Sequence, residues 1–158
     1  TEIYTLSLHD ALPIWALVLA VLAQIALGGL VAGSKAGFTY NTWPLMDGAL
    51  IPPVEHLFKV RPFWENFVDN PTMVQFNHRI GAYLLLGFAI WHAIAARGTG
   101  AAKMARMLAV FVLLQGLMGI VTLLLVVPLW AGLAHQAFAM LVLLVAVIHA
   151  MRIDPVSV

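Results

Sequence analysis

Long apolar runs are the feature that most constrains how this chain folds. Several stretches of about 20 residues carry almost no charge, a length that matches the thickness of a bilayer core. Of the 158 residues, 63% are hydrophobic and 9% are charged, unlike the mixture in a soluble domain. A chain crosses lipid as a helix because a helix satisfies its own backbone hydrogen bonds. We therefore predict an all-α integral membrane protein.

The same composition narrows the kinds of partner. The chain has no cysteine, so it has neither a disulfide framework nor a thiolate metal site. Any metal or cofactor must be held by histidine, methionine, carboxylate or backbone groups. No basic tract indicates nucleic acid, and membrane lipid is the partner that the apolar runs imply.

Four membrane spans are predicted, and together they form a four-transmembrane-helix bundle. The spans cover about residues 15–32, 71–96, 104–126 and 129–151, with an outer loop at 34–69 and a tail at 153–158. The second span has a marked start, because Asn70 is a suitable N-cap and Pro71 a suitable first helical residue.

The first 14 residues, TEIYTLSLHDALPI, resemble a translated sequencing adapter joined to a natural reading frame. We therefore expect residues 1–14 to be a non-native lead, residues 15–152 to be the bundle, and the natural protein to continue upstream. Basic residues set the expected orientation. Arg97, Lys103 and Arg106 flank the short turn after the second span, which places that turn and both chain ends inside.

Two of the spans share a pattern that pairs their histidines. Pro71, His78 and His92 recur 57 residues later as Pro128, His135 and His149. The other two spans share a motif as well, Leu22-x-Gln24-x3-Gly28 against Leu113-x-Gln115-x3-Gly119. Two related helical hairpins fit an internal duplication. We interpret Gly28, Gly29 and Gly33 of the first span as sites of close helix packing.

His78 and His135 are expected at the same depth, because each lies seven residues after its proline, roughly 10 Å along a helix. Two imidazoles at one depth can supply both axial ligands of a haem, and Arg79 is placed to meet the haem propionates. The alternatives are that each histidine only hydrogen-bonds a neighbouring helix and that Arg79 only anchors the surface. His92 and His149 either reach water or hold a second haem.

Several motifs closely resemble the C-terminal half of the haem A synthases. They are GGLVAGSKAGFTYNTWPLMDG, NPTMVQFNHRIGAYLL, QGLMGIVTLLL and PLWAGLAHQAFA. The resemblance implies one pseudo-symmetric half of an eight-helix protein, which converts haem O to haem A by oxidising a ring methyl to a formyl group. It also implies that His78 and His135 ligate a haem b used for electron transfer.

The resemblance also implies what this chain lacks. We expect the N-terminal half, with the other histidine pair and a glutamate linked to catalysis, to be missing from this sequence, and therefore expect no catalytic residue here and no activity from this fragment alone. Asn41, Trp43 and Gln136 are candidate haem-pocket groups. The implied partners are the missing half, haem O synthase, an electron acceptor and a further copy of the chain. The implied location is the bacterial inner membrane in preference to the mitochondrial one.

Two other classes compete with this interpretation. A two-haem b-type electron-transfer cytochrome subunit would use both histidine pairs, and a purely structural bundle would bind nothing. The number of haems per chain separates them, because a synthase half needs one haem, the cytochrome two and the structural bundle none.

Overall fold

The computed structural model describes residues 8–153, with side chains described for residues 13–152. Residues 1–7 of the expected adapter-derived lead and most of the tail therefore lie outside the described residues. The backbone of residues 8–14 forms the first turns of a helix, and Ile14 is buried.

All the regular elements in the described part of the chain are helical. Two 3₁₀ turns, Ala36–Phe38 and Phe63–Glu65, accompany α1 (Leu8–Gly33), α2 (Val54–Leu57), α3 (Asn66–Asp69), α4 (Pro71–Ala95), α5 (Ala102–Leu124) and α6 (Leu129–Ile153). The four long helices correspond to the four predicted spans, and α1 starts earlier than the first of them.

Three of the described helices are long and apolar enough to cross a membrane: α1 from Pro13 to Gly33, α5, and α6 to Arg152. The fourth, α4, has 25 residues, which is sufficient length. Its polar cluster, Gln75, Asn77, His78 and Arg79, makes it less apolar than the other three. Because α4 packs against both α1 and α5, it completes the bundle.

Local chemistry fixes the start of α4 as predicted. The Asn70 side chain accepts a hydrogen bond of 3.1 Å from the Thr72 amide, and Pro71 occupies the first turn. The Asn70 amide also donates to the carbonyls of His56 and Leu57, both at 2.9 Å. The cap therefore ties the long connection, residues 34–70, to the helix that follows it.

The four long helices form a closed ring in the order α1, α4, α5, α6. Neighbouring helices are antiparallel, and α4 and α6 face each other across the ring in parallel. We call the end of the bundle that carries the 34–70 connection the loop end. The opposite end, with the turn at residues 96–101, is the turn end.

The two ends are packed differently. The apolar core fills the turn end and consists of Ile14, Leu17, Val18, Val21, Leu85, Ala89, Leu108, Val112, Val142, Ala146 and Ala150. Toward the loop end, residues 22–33, 76–84, 113–121 and 132–141 include no buried side chain. These stretches lie at corresponding depths on all four helices. Buried side chains thus fill the interior at the turn end, and a layer of partly buried and exposed side chains follows toward the loop end.

Candidate functional site

His78 lies in the layer without buried side chains, where α4 packs against α1. The Gln24 Nε2 atom lies 3.1 Å from His78 Nδ1 and also donates to the His78 carbonyl at 2.9 Å. Gly28 lies one turn further along α1. A Cβ atom at this position would come within 3.3 Å of the imidazole Cε1 atom, so glycine leaves room for the ring.

His135 has the same surroundings in the second hairpin. The Gln115 Nε2 atom of α5 lies 3.4 Å from His135 Nε2 and donates to the His135 carbonyl at 3.0 Å. A Cβ atom at Gly119 would approach His135 Cε1 to 2.9 Å, closer than real Cβ contacts allow. We call each glutamine and glycine pair a cradle: Gln24 with Gly28, and Gln115 with Gly119.

The cradles give the sequence repeat a physical meaning that the packing interpretation missed. The motif Gln-x3-Gly recurs because a carboxamide and a glycine one turn apart hold one imidazole from the neighbouring helix. The signal was visible in the sequence as the matched pair of motifs. Only the structure shows that both motifs contact the histidines, since nothing in the one-dimensional pattern specifies which helices are adjacent.

Several buried polar atoms of the cradles and of His135 have no partner among the described residues. They are Gln24 Oε1, Gln115 Oε1 and His135 Nδ1. Buried polar atoms normally have hydrogen-bond partners, so a group of them beside two histidines indicates a site for a polar or ligating group. His78 and His135 lie on the facing helices α4 and α6, each beside its own cradle.

The connection covers this site at the loop end. Arg79 donates from Nη2 to the Tyr40 carbonyl at 3.0 Å and from Nη1 to the Leu45 carbonyl at 3.5 Å. Gln75 donates to the same Tyr40 carbonyl at 3.0 Å. Arg79 Nε and Gln75 Oε1 remain buried without partners among the described groups. The Arg79 guanidinium is therefore held by two backbone carbonyls of the connection.

The three other predicted pocket residues do not gather around the histidines. Asn41 donates to the carbonyls of Gly37 at 2.8 Å and Leu123 at 3.0 Å, so it ties the connection to the end of α5. Exposed Trp43 donates to the Tyr83 hydroxyl at 3.0 Å. Gln136 is exposed on α6, one residue after His135 and therefore rotated by about 100° from it. Their role in a pocket stays a prediction.

The second histidine pair lies near the turn end. His92 Nε2 and His149 Nε2 are 2.9 Å apart, and both side chains are buried. An iron held by both nitrogens would need them roughly 4 Å apart, because metal–imidazole bonds are about 2.0–2.1 Å long. In this structure the two Nε2 atoms contact each other directly, and His149 Nδ1 is buried without a partner among the described residues.

No group of three or more His, Asp or Glu side chains converges on a metal position anywhere in the described residues. A site with only two imidazoles suits a metal whose other ligands come from elsewhere, as in a haem, where the porphyrin supplies four nitrogens. The fold and the site together define a class: an all-α membrane bundle built from two related hairpins, each with one cradled histidine.

Comparison with known proteins places this class in a family. Residues 8–147 match COX15-CtaA, the cytochrome oxidase assembly protein family, and the chain belongs to it. Three similar relatives, each named heme A synthase, come from Methylobacterium sp. (strain 4-46), Methylobacterium nodulans and Methylobacterium radiotolerans, with 64%, 60% and 58% identity over 85% of this chain. The chain spans 38%, 39% and 37% of their respective lengths. No solved structure matches it significantly.

Proposed function

We propose that this chain is the haem-binding C-terminal half of a haem A synthase, with His78 and His135 as the axial ligands of one haem b. The observation that carries this proposal is the pair of matched cradles in a layer of the bundle without buried side chains. Four helices that pack tightly at the turn end bury no side chain at the level of these histidines. A haem held between the facing helices would cover the side chains of this layer.

The two histidines fit a haem as its protein ligands. Two neutral imidazoles leave no free coordination position on a haem iron, so the haem would pass electrons instead of binding a further ligand. An axial imidazole coordinates through one nitrogen and needs its other nitrogen protonated and hydrogen-bonded. The carboxamides of Gln24 and Gln115 offer both a donor and an acceptor beside the rings. We assign the two glutamines the task of fixing ring orientation.

The loop end of the bundle supplies a positive charge near His78. Arg79 is a fixed cation one residue from His78, and its guanidinium geometry suits a carboxylate such as a haem propionate. Its hydrogen bonds to the Tyr40 and Leu45 carbonyls hold it beneath the connection. The connection itself would exclude water from the haem at this end.

The relatives' printed name, heme A synthase, supports the activity that the resemblance implies for the complete protein. We propose that the parent is an oxidoreductase that oxidises a haem O ring methyl to a formyl group by successive hydroxylations, for cytochrome oxidase assembly. Its reacting site would lie in the N-terminal half. We further propose a bacterial inner-membrane location with both chain ends inside, and haem O synthase, an electron acceptor and a second copy as partners.

The alternative, a two-haem b-type cytochrome subunit, has one observation in its favour: His92 and His149 repeat the 14-residue offset of the ligand pair. The direct contact between their Nε2 atoms favours a single haem instead. The haem A synthase interpretation also accounts for the long connection over the loop end, which the cytochrome interpretation leaves without a role.

Counting haem in the purified chain tests the proposal. We expect one low-spin haem b per chain. The ratio is obtained by dividing the haem concentration, measured by absorbance after extraction, by the protein concentration. A value near two would favour the cytochrome, and a value of zero after expression with excess haem would contradict haem binding.

A second experiment tests where the reacting site lies. In membranes that contain this chain without the N-terminal half, supplied haem O should yield no haem A. Detectable conversion would refute the assignment of the reacting site to the N-terminal half.

A further inference from the structure

A second feature of the bundle lies far from the histidine cradles, at the turn end. A cleft of about 280 Å³ opens between α4 and α5. Its walls are apolar, and two arginines stand at its edge. The cleft is lined by Ile90, Ala93, Ile94, Arg97, Ala109, Val110 and Arg106.

The two arginines come from different elements and meet at the same cleft. Arg97 follows the end of α4, and Arg106 lies in the second turn of α5. Both are exposed, and the side-chain hydrogen bonds of arginine in the described residues all belong to Arg79. The described acidic side chains all lie on the connection at the opposite end, at Asp47, Glu55, Glu65 and Asp69. The cationic edge is therefore not neutralised within the described part of the bundle.

We propose that this cleft binds an anionic phospholipid, with its phosphate held by Arg97 and Arg106 and one acyl chain along the apolar wall. The location suits such a ligand, because the ends of α4 and α5 lie where lipid headgroups meet the hydrocarbon core. Basic pockets between transmembrane helices are a known form of lipid recognition. Guanidinium groups also match phosphate oxygens in geometry better than an ammonium does.

If the basic residues are only attracted to the membrane surface in general, the variants should behave differently from those of a specific lipid site. Lys103 is exposed and lies three residues before Arg106 on α5, but it does not line the cleft. If the basic residues only sit at the interface, removing Lys103 and removing Arg106 should have equal effects. A built site predicts that only the two arginines matter.

Native mass spectrometry of the chain in detergent, with added phosphatidylglycerol or phosphatidylcholine, separates the two cases. We expect one phosphatidylglycerol retained per chain and no comparable retention of phosphatidylcholine. Arg97→Gln and Arg106→Gln should each weaken retention roughly fivefold, the effect expected for one basic side chain near an anionic headgroup. The matched control Lys103→Gln removes the same charge and should retain the lipid as the wild type does.

A further variant tests the apolar wall separately from the charge. Val110 is 53% exposed, so Val110→Trp can occupy the cleft without disturbing the core. It should reduce phosphatidylglycerol retention with both arginines present. Helical circular dichroism and thermal unfolding of each variant would verify folding.

Three results would overturn the proposal. The first is an equal loss of lipid in Lys103→Gln and in the arginine variants. The second is full lipid retention in Val110→Trp. The third is displacement of the lipid by millimolar inorganic phosphate, which would indicate a site for the phosphate group alone. The test involves no haem, so its outcome is independent of the proposed function.

Discussion

His92 and His149, 57 residues apart in the chain, share a buried hydrogen bond of 2.9 Å between their Nε2 atoms. The rings lie 5.1 Å apart between centroids and are tilted by 60°. One nitrogen must donate and the other accept, so the pair joins the facing helices α4 and α6 at the turn end. The same two helices carry His78 and His135 toward the loop end, in the layer without buried side chains.

This hydrogen bond should stabilise the bundle in a way that a double-mutant cycle detects. Replacing His92 alone or His149 alone by leucine leaves the other imidazole buried without its partner, at a cost of about 1–3 kcal/mol. Replacing both removes the polar pair altogether and should cost less than the sum of the single changes. The measurement is unfolding in detergent, and additive effects of the two changes would contradict a direct interaction.

Changing the cradled histidines should remove the haem. His78→Ala or His135→Ala deletes one of the two proposed ligands, so the low-spin haem spectrum of the purified chain should disappear. His92→Ala is the matched control, since it removes a buried imidazole from the same helix as His78 and should leave that spectrum in place. If the low-spin spectrum survives in both cradle variants, the ligands have been assigned wrongly.

The glutamines of the cradles should affect haem affinity without being ligands. Gln24→Ala or Gln115→Ala removes the hydrogen bond beside an imidazole, and such partners are typically worth about 10- to 100-fold in metal affinity. The low-spin spectrum should remain at saturating haem, with an altered reduction potential. Gln136→Ala, an exposed glutamine beside His135, should change neither quantity. Unchanged affinity in both cradle variants would assign the glutamines a packing role only.

Adding one methyl group at a cradle glycine should lower the haem content of the chain where the imidazole ring is close. Gly119→Ala forces His135 to move, because the new Cβ would lie 2.9 Å from Cε1. We expect lower haem content in this variant, and a smaller effect for Gly28→Ala, where the distance is 3.3 Å. Gly116→Ala is the control on the same helix. Its Cβ meets nothing within 4 Å, and alanine favours helix by up to about 1 kcal/mol. Equal haem content in the Gly116 and Gly119 variants would contradict a tight cradle.

Much of the fold could be predicted because it depends on short-range properties of the sequence. Apolar runs of bilayer length specify the long helices, and the start of α4 at Pro71 follows from the Asn70 cap. The 57-residue repeat predicted that His92 and His149, like His78 and His135, would correspond. In the structure, His78 and His135 each lie beside a glutamine and a glycine of the neighbouring helix, and His92 contacts His149 directly.

The contacts of individual polar side chains could not be predicted in the same way. Arg79 donates to the Tyr40 carbonyl of the connection, a contact that no pattern in the sequence indicates. Gln136, adjacent to a histidine in sequence, is exposed, whereas Gln24, 54 residues from His78, contacts its ring. Neighbours along a helix point in different directions, so proximity in sequence does not give proximity in space.

The sequence by itself determined that this is a membrane protein of four long helices with histidines at two repeated levels, because hydropathy and helical spacing are local. Only the tertiary structure decided which pair forms a direct hydrogen bond and which pair lies in the layer without buried side chains. The reason is that both pairs have the same spacing in the sequence. They differ in the residues that the other helices bring beside them: an apolar core near His92 and His149, and glutamine and glycine beside His78 and His135.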